Sequence, residues 1–125
     1  MVSFDIFLQN FAESSLDRSK AVRAILDPIL STSGIEFTTA DGSADVFGLE
    51  DDVIDGLMFN HVDGEAAWDV IYAVAVAGDW VIMPVGCPVC VISDEQIALL
   101  PEGLGDPAPT RVSSGAGILD AIRSA

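Results

Sequence analysis

Apolar and polar residues alternate along the first stretch of the chain with a period of two, which is typical of a β-strand. The apolar positions of this stretch are Val2, Phe4, Ile6 and Leu8. Phe7 interrupts the alternation. We therefore expect a strand at the N-terminus that can be covered on both of its faces.

Similar patterns predict five further strands. Residues 33–49 form two strands around a tight turn at Asp41 and Gly42, because Asp-Gly is a frequent hairpin turn. The remaining three strands are predicted over residues 56–62, 80–85 and 110–114.

A spacing of three and four between apolar residues predicts four helices. These are expected within residues 14–30, 64–78, 93–101 and 115–124. In the first helix, Ser14 and Asp17 form a capping box, and Pro28 either kinks the helix or begins a separate short turn. The third helix has a capping box at Ser93 and Gln96.

The helix over residues 64–78 is apolar over most of its circumference. Asp63 is the expected N-terminal cap, and Gly78 is the expected end of the helix. Trp68 lies on this helix. A helix of this kind is either deeply buried within the fold or covered by a second copy of the chain, so a homodimer is one expectation.

The predicted order of elements is β-α-β-β-β-α-β-α-β-α. This order favours an α/β or α+β fold, a layered sandwich around a mixed sheet, in a single domain over residues 1–125. No apolar run reaches the ~18–20 residues that cross a bilayer. The N-terminal residues lack a basic leader, so we expect a cytoplasmic protein with reduced thiols.

The composition is strongly acidic. Twenty Asp and Glu residues face five Lys and Arg residues, which gives a formal net charge of −15. Such a surface repels phosphate backbones and anionic lipids, and this argues against nucleic acid or membrane as a partner. Either the charge only keeps the surface solvated, or it complements a basic protein partner.

The candidate chemistry is concentrated in Cys87, Cys90, His61 and Asp63. If the strands over residues 56–62 and 80–85 are parallel neighbours, their carboxyl ends place these four side chains at one edge of the sheet. The segment Cys-Pro-Val-Cys resembles the knuckle of zinc-ribbon and zinc-finger proteins, in which Cys-Pro-x-Cys supplies half of the zinc ligands. The resemblance covers only those four positions and implies zinc as the metal.

Three other interpretations of the cysteines remain open. The spacing also resembles the thioredoxin-type dithiol, although the position relative to the next helix and the negative charge argue against a low thiol pKa. A Cys-His nucleophile pair is a second interpretation. In the third, the cysteines are small apolar residues that pack beside a turn.

The functional expectation has two alternatives. The first is a non-catalytic binding or interaction domain, such as an immunity- or antitoxin-like inhibitor of a basic partner. Its contact residues would be the exposed carboxylates of Glu50, Asp51, Asp52 and Asp55. The second is a metal-dependent or thiol-dependent site built on Cys87, Cys90, His61 and Asp63.

Overall fold

A computed structural model describes residues 5–12, 17–106 and 108–124. In this part of the chain seven strands form one mixed sheet, which confirms the predicted layered fold. The strands are β1 (Ile6–Gln9), β2 (Glu36–Thr38), β3 (Ser43–Phe47), β4 (Gly56–Asp63), β5 (Val81–Pro84), β6 (Cys90–Val91) and β7 (Thr110–Arg111). The helices are α1 (Ser19–Leu26), α2 (Glu65–Gly78), α3 (Asp94–Leu99) and α4 (Gly115–Arg123), with a 3-10 turn at Asp27–Ile29. Strand β6 is the one element that the hydrophobic pattern did not predict.

The strand order is β2-β3-β4-β1-β5-β6-β7. Strand β1 pairs antiparallel with both β4 and β5, so β4 and β5 run in the same direction but are not neighbours. The expectation that these two strands lie side by side is therefore wrong. Hydrophobic periodicity identifies a strand but does not specify its neighbours, and the N-terminal strand takes the position between them.

The predicted hairpin forms between β2 and β3, but its turn is one residue earlier than expected: Thr39 N–H donates to the Gly42 carbonyl, so Ala40 and Asp41 are the central residues. The Asp41 carboxylate accepts hydrogen bonds from the backbone N–H groups of Glu65 and Ala66, at 3.0 and 3.3 Å. It therefore satisfies two of the free donors at the start of α2. Asp63, which the sequence predicted as the cap, makes no such bond. The real cap comes from a distant turn, which local sequence spacing cannot reveal.

The start of α1 differs from the predicted capping box. The helix begins at Ser19, and Ser14 lies outside the described residues. The Asp17 carboxylate accepts hydrogen bonds from the hydroxyl and the backbone N–H of Ser19, and these bonds lower its pKa. Pro28 lies in the 3-10 turn that follows the helix, so the expected separate turn is confirmed.

The main core lies on one face of the sheet, beneath α1, α2 and α4. Helix α2 packs against α1 and α4, so most of its apolar surface is buried within the chain. It ends at Gly78, where an added Cβ would lie 2.4 Å from the buried indole of Trp80. Asp79, with φ of 55°, takes the left-handed position after the helix that glycine usually occupies.

A smaller apolar cluster lies on the opposite face, over β5 and β6. Its buried members are Val81, Val89 and Val91, and the partly buried residues packed against them are Phe11, Met83, Leu100 and Leu104. Helix α3 borders this cluster and begins with one half of the predicted capping box: Ser93 Oγ accepts a hydrogen bond from the Gln96 N–H, whereas the Gln96 side chain accepts from the Ile92 N–H rather than from Ser93. Among the described residues, the second face therefore carries a packed apolar cluster only over β5 and β6.

Within the ranges that the structure describes, no helix combines the length and apolar character that crossing a membrane requires.

Candidate functional site

The sequence predicted His61 and the cysteines at the carboxyl ends of two neighbouring strands. In the structure β1 lies between these strands, β4 and β5. Neighbouring strands are about 4.8 Å apart, so the ends of β4 and β5 are separated by about 10 Å. Among the described residues, no group of three His, Cys, Asp or Glu side chains could hold a metal ion. The structure thus does not assemble Cys87, Cys90, His61 and Asp63 into one set of ligands.

His61 lies at an irregularity of β4, where the pairing with β3 shifts by one residue. Its φ of 51° is left-handed, which is uncommon for a residue other than glycine. The Nδ1 atom of its exposed ring lies 2.9 Å from Asp45 Oδ2. His61 is therefore paired with a carboxylate of β3 rather than with a thiol.

The two cysteines have different surroundings. Cys90 is fully buried in β6, opposite Ile82, and its Sγ lies 3.9 Å from the Pro88 carbonyl oxygen. Burial, with a smaller contribution from the neighbouring Cys87, raises the pKa of the Cys90 thiol to about 11. Cys87 is half-buried in the turn after β5, and neither thiol forms a disulfide. A thiol with such a high pKa stays protonated near neutral pH, which opposes nucleophilic or redox use of Cys90.

The acidic segment, residues 50–55, connects β3 to β4 and displays its carboxylates to solvent. The exposed acids are Glu50, Asp51, Asp52 and Asp55. The segment is anchored by Ile54, which is 1% exposed and whose N–H donates to Ser19 Oγ at 2.8 Å. At its start, the Arg23 guanidinium donates to the carbonyl of the buried Leu49. The chain therefore holds the predicted acidic residues on a connection fixed to the core.

An apolar row crosses the face of the sheet opposite α1, α2 and α4. Phe7 pairs with Met58 on one side and with Met83 on the other, and Met58 also pairs with Phe47. Residues that pair directly across strands point to the same face, so the apolar row consists of Phe47, Met58, Phe7 and Met83. Phe7 and Phe47 are 41% and 39% exposed. Met58 and Met83 are half-buried between and beside them, and an apolar surface of this kind is found at interaction sites.

Acidic groups border the apolar row on both sides. One step further along the strands lies the acidic row, formed by Glu36, Asp45 and Asp5, with Asn60 between the two aspartates. On the other side, Asp55 of the acidic segment lines an open groove of about 420 Å³ together with aromatic and methionine side chains of the row. We call the apolar row with these two acidic borders the open face.

The sequence contained one signal for the open face. Phe7 interrupts the alternation of β1, from which we expected cover on both faces of the strand. That expectation is wrong, because the Phe7 side chain faces away from the main core and is 41% exposed. Alternation alone predicts which residues share a face of a strand. It does not predict which face the helices cover, so the open face was not identified from the pattern.

Comparison with known proteins does not narrow the function. No protein-family model matches the chain, and neither curated proteins nor solved structures provide a match. The function is therefore inferred from the open face, the acidic segment and the charge of this chain.

Proposed function

We propose that the protein is a non-catalytic binding domain for a basic protein partner. The observation that carries the proposal is the exposed apolar row between two acidic borders. This arrangement has the organisation of a protein interface, in which an apolar centre is surrounded by a polar rim. An inhibitor of the immunity or antitoxin kind, which covers a basic surface of an enzyme, is one version of this function.

The acidic segment is the rim that we expect to contact the partner. Its carboxylates Glu50, Asp51, Asp52 and Asp55 are exposed, whereas Leu49 and Ile54 attach the segment to the core. A rigid loop loses little conformational entropy when it binds, because it is already ordered. The segment therefore supports binding without the cost of ordering a flexible loop.

The net charge of −15 supports a partner of opposite charge. A strongly negative surface accelerates encounter with a positive one and repels nucleic acids and other acidic proteins. Two unpaired thiols are what a reducing compartment maintains, so we place this function in the cytoplasm.

The test compares two variants that remove equal numbers of carboxylates. Asp51→Asn/Asp52→Asn removes charge from the acidic segment, and Glu95→Gln/Asp120→Asn removes charge from α3 and α4. A basic protein captured by the wild type is identified, purified and titrated against all three proteins at 50–300 mM salt.

We expect the affinity to fall as salt increases, because screening weakens interactions between charges. The acidic-segment variant should bind about threefold to tenfold more weakly than the wild type, since exposed charge pairs contribute up to about 1 kcal/mol each. The control variant should bind within about twofold of the wild type. An affinity that changes neither with the salt concentration nor with the acidic-segment substitutions would overturn the proposal.

A further inference from the structure

We propose that the apolar row binds a cationic amphipathic α-helix of the partner, which lies across β3, β4, β1 and β5. This inference rests on the proposed function, because it assigns a structure to the basic partner at the open face. The inference specifies that the partner helix contacts the apolar row with four apolar side chains and carries positive side chains on both of its flanks.

The dimensions of the apolar row fit one face of an α-helix. Its four residues occupy four adjacent strands, so the row is about 14 Å long at a strand spacing of about 4.8 Å. Helical positions i, i+3, i+7 and i+10 lie on one face and rise by about 15 Å in total. Each anchor of the helix can therefore contact one strand.

The charges beside the apolar row fit the flanks of such a helix. Glu36, Asp45 and Asp5 lie on one side, and Asp55 lies on the other. The polar flanks of an amphipathic helix lie next to its apolar stripe. Lys and Arg residues on both flanks would contact these two acidic borders. These contacts fix the rotation of the helix about its own axis, with its apolar stripe towards the sheet.

The apolar row also continues the smaller cluster on this face. Met83 belongs to the row and packs against the cluster that Leu100 and Leu104 help to cover. In the described part of the chain this cluster does not extend beyond Met83 towards β3, and Phe7 and Phe47 are exposed. A helix on the row would extend this layer across the β1, β4 and β3 part of the sheet.

Two other modes of binding fit the structure less well. Addition of a strand to the sheet is hindered at β2, because Ser31 donates a hydrogen bond to the Glu36 carbonyl and Leu30 bridges to Phe37. At the other edge, β7 has only two residues. A second copy of the chain would bring two surfaces of net charge −15 together, with acidic borders facing each other.

The experiment uses two synthetic peptides of 14 residues with the same composition. In the first, leucines occupy positions i, i+3, i+7 and i+10, and lysines and arginines occupy the flanks. In the second, the same residues are scrambled so that no apolar face forms. Binding to the full chain is measured by calorimetry and by the ¹³C-methyl signals of Met58 and Met83.

We expect the amphipathic peptide to bind at least tenfold more tightly than the scrambled peptide and to shift both methyl signals. Phe7→Thr/Phe47→Thr should weaken its binding at least tenfold. Val76→Thr, which changes a 48% exposed residue of α2 on the other side of the sheet, is the matched control and should not alter binding.

Equal affinity for the two peptides would overturn the helix while leaving a charge-driven function intact. Absence of binding by either peptide would also overturn it, and the salt titration of the natural partner would then decide the proposed function separately. Self-association in the ultracentrifuge that Phe7→Thr abolishes would assign the open face to a second copy instead.

Discussion

The two faces of the sheet use the same strands in different ways. On the covered face, Ile6, Leu8 and Phe59 are between 0 and 1% exposed beneath the helices. On the open face, Phe7, which lies between two of those residues in the chain, is 41% exposed. One side of β1 and β4 therefore contributes to the core, and the other side carries the apolar row, which we propose as the binding surface.

This difference predicts that substitutions on the two faces have separable effects. Burial of apolar surface stabilises a fold in proportion to the area removed from water. The covered face should therefore determine the free energy of unfolding, and the open face should affect binding with little effect on stability.

The largest predicted effect is that of Phe59→Ala. Phe59 is fully buried and packs edge-on against Phe37, with ring centres 6.1 Å apart. Its truncation should lower the free energy of unfolding by about 3–5 kcal/mol, because it leaves a cavity in the core. Phe47→Ala on the open face should lower it by less than about 1 kcal/mol. Equal losses in urea denaturation would contradict the distinction between the faces.

Cys90→Ser should have the next largest effect. The buried thiol is replaced by a hydroxyl that loses its contact with water, which costs about 1–3 kcal/mol of unfolding free energy. Cys87→Ser should change it by less than about 0.5 kcal/mol, because Cys87 is only half-buried in a turn. Both variants are compared by urea denaturation with and without EDTA. A structural metal would be indicated instead if Cys87→Ser lowered the free energy of unfolding severely and EDTA caused the same loss in the wild type.

Asp41→Ala should lower the free energy of unfolding by about 1 kcal/mol. The substitution removes the carboxylate that accepts hydrogen bonds from Glu65 and Ala66 at the start of α2. Asp63→Ala is the matched control and should have little effect, because its side chain does not cap the helix. Thermal denaturation of the two variants measures the contrast, and a larger loss for Asp63→Ala would show that the assigned cap is incorrect.

Alkaline pH should lower the free energy of unfolding because of the Cys90 thiol in the core. Its pKa is raised to about 11 in the folded protein, so the folded state retains a proton that the unfolded state loses at lower pH. The stabilisation that comes from this raised pKa is fully present below the unfolded pKa near 9 and is lost as pH rises towards 11. The difference in unfolding free energy between wild type and Cys90→Ala should therefore fall by on the order of 1 kcal/mol across this window. A pH-independent difference would contradict the raised pKa.

Much of the fold followed from the sequence because its elements have local signatures. The β2–β3 hairpin near Asp41, the Ser93 cap of α3 and the separate turn at Pro28 depend on neighbouring residues. The two residues of β6 are too few to show a period, so the strand that contains Cys90 was missed. The central position of β1 and the capping of α2 by Asp41 depend on contacts between distant segments, which no local pattern specifies.

The candidate site was predicted only in part. The carboxylates of residues 50–55 are exposed because charged side chains in a connecting loop remain solvated. The proposed grouping of His61 with the cysteines depended on the order of the strands. Because β1 separates β4 from β5, His61 lies beside Asp45 instead.

The most direct test of the account is one variant, Phe7→Thr, measured in two ways. Threonine favours a strand and removes the aromatic ring from the centre of the apolar row. We predict a free energy of unfolding within about 1 kcal/mol of the wild type, together with binding of the amphipathic peptide weakened at least fivefold. Unchanged binding accompanied by a loss of several kcal/mol of stability would show that Phe7 belongs to the core, and would contradict the assignment of the open face as the binding surface.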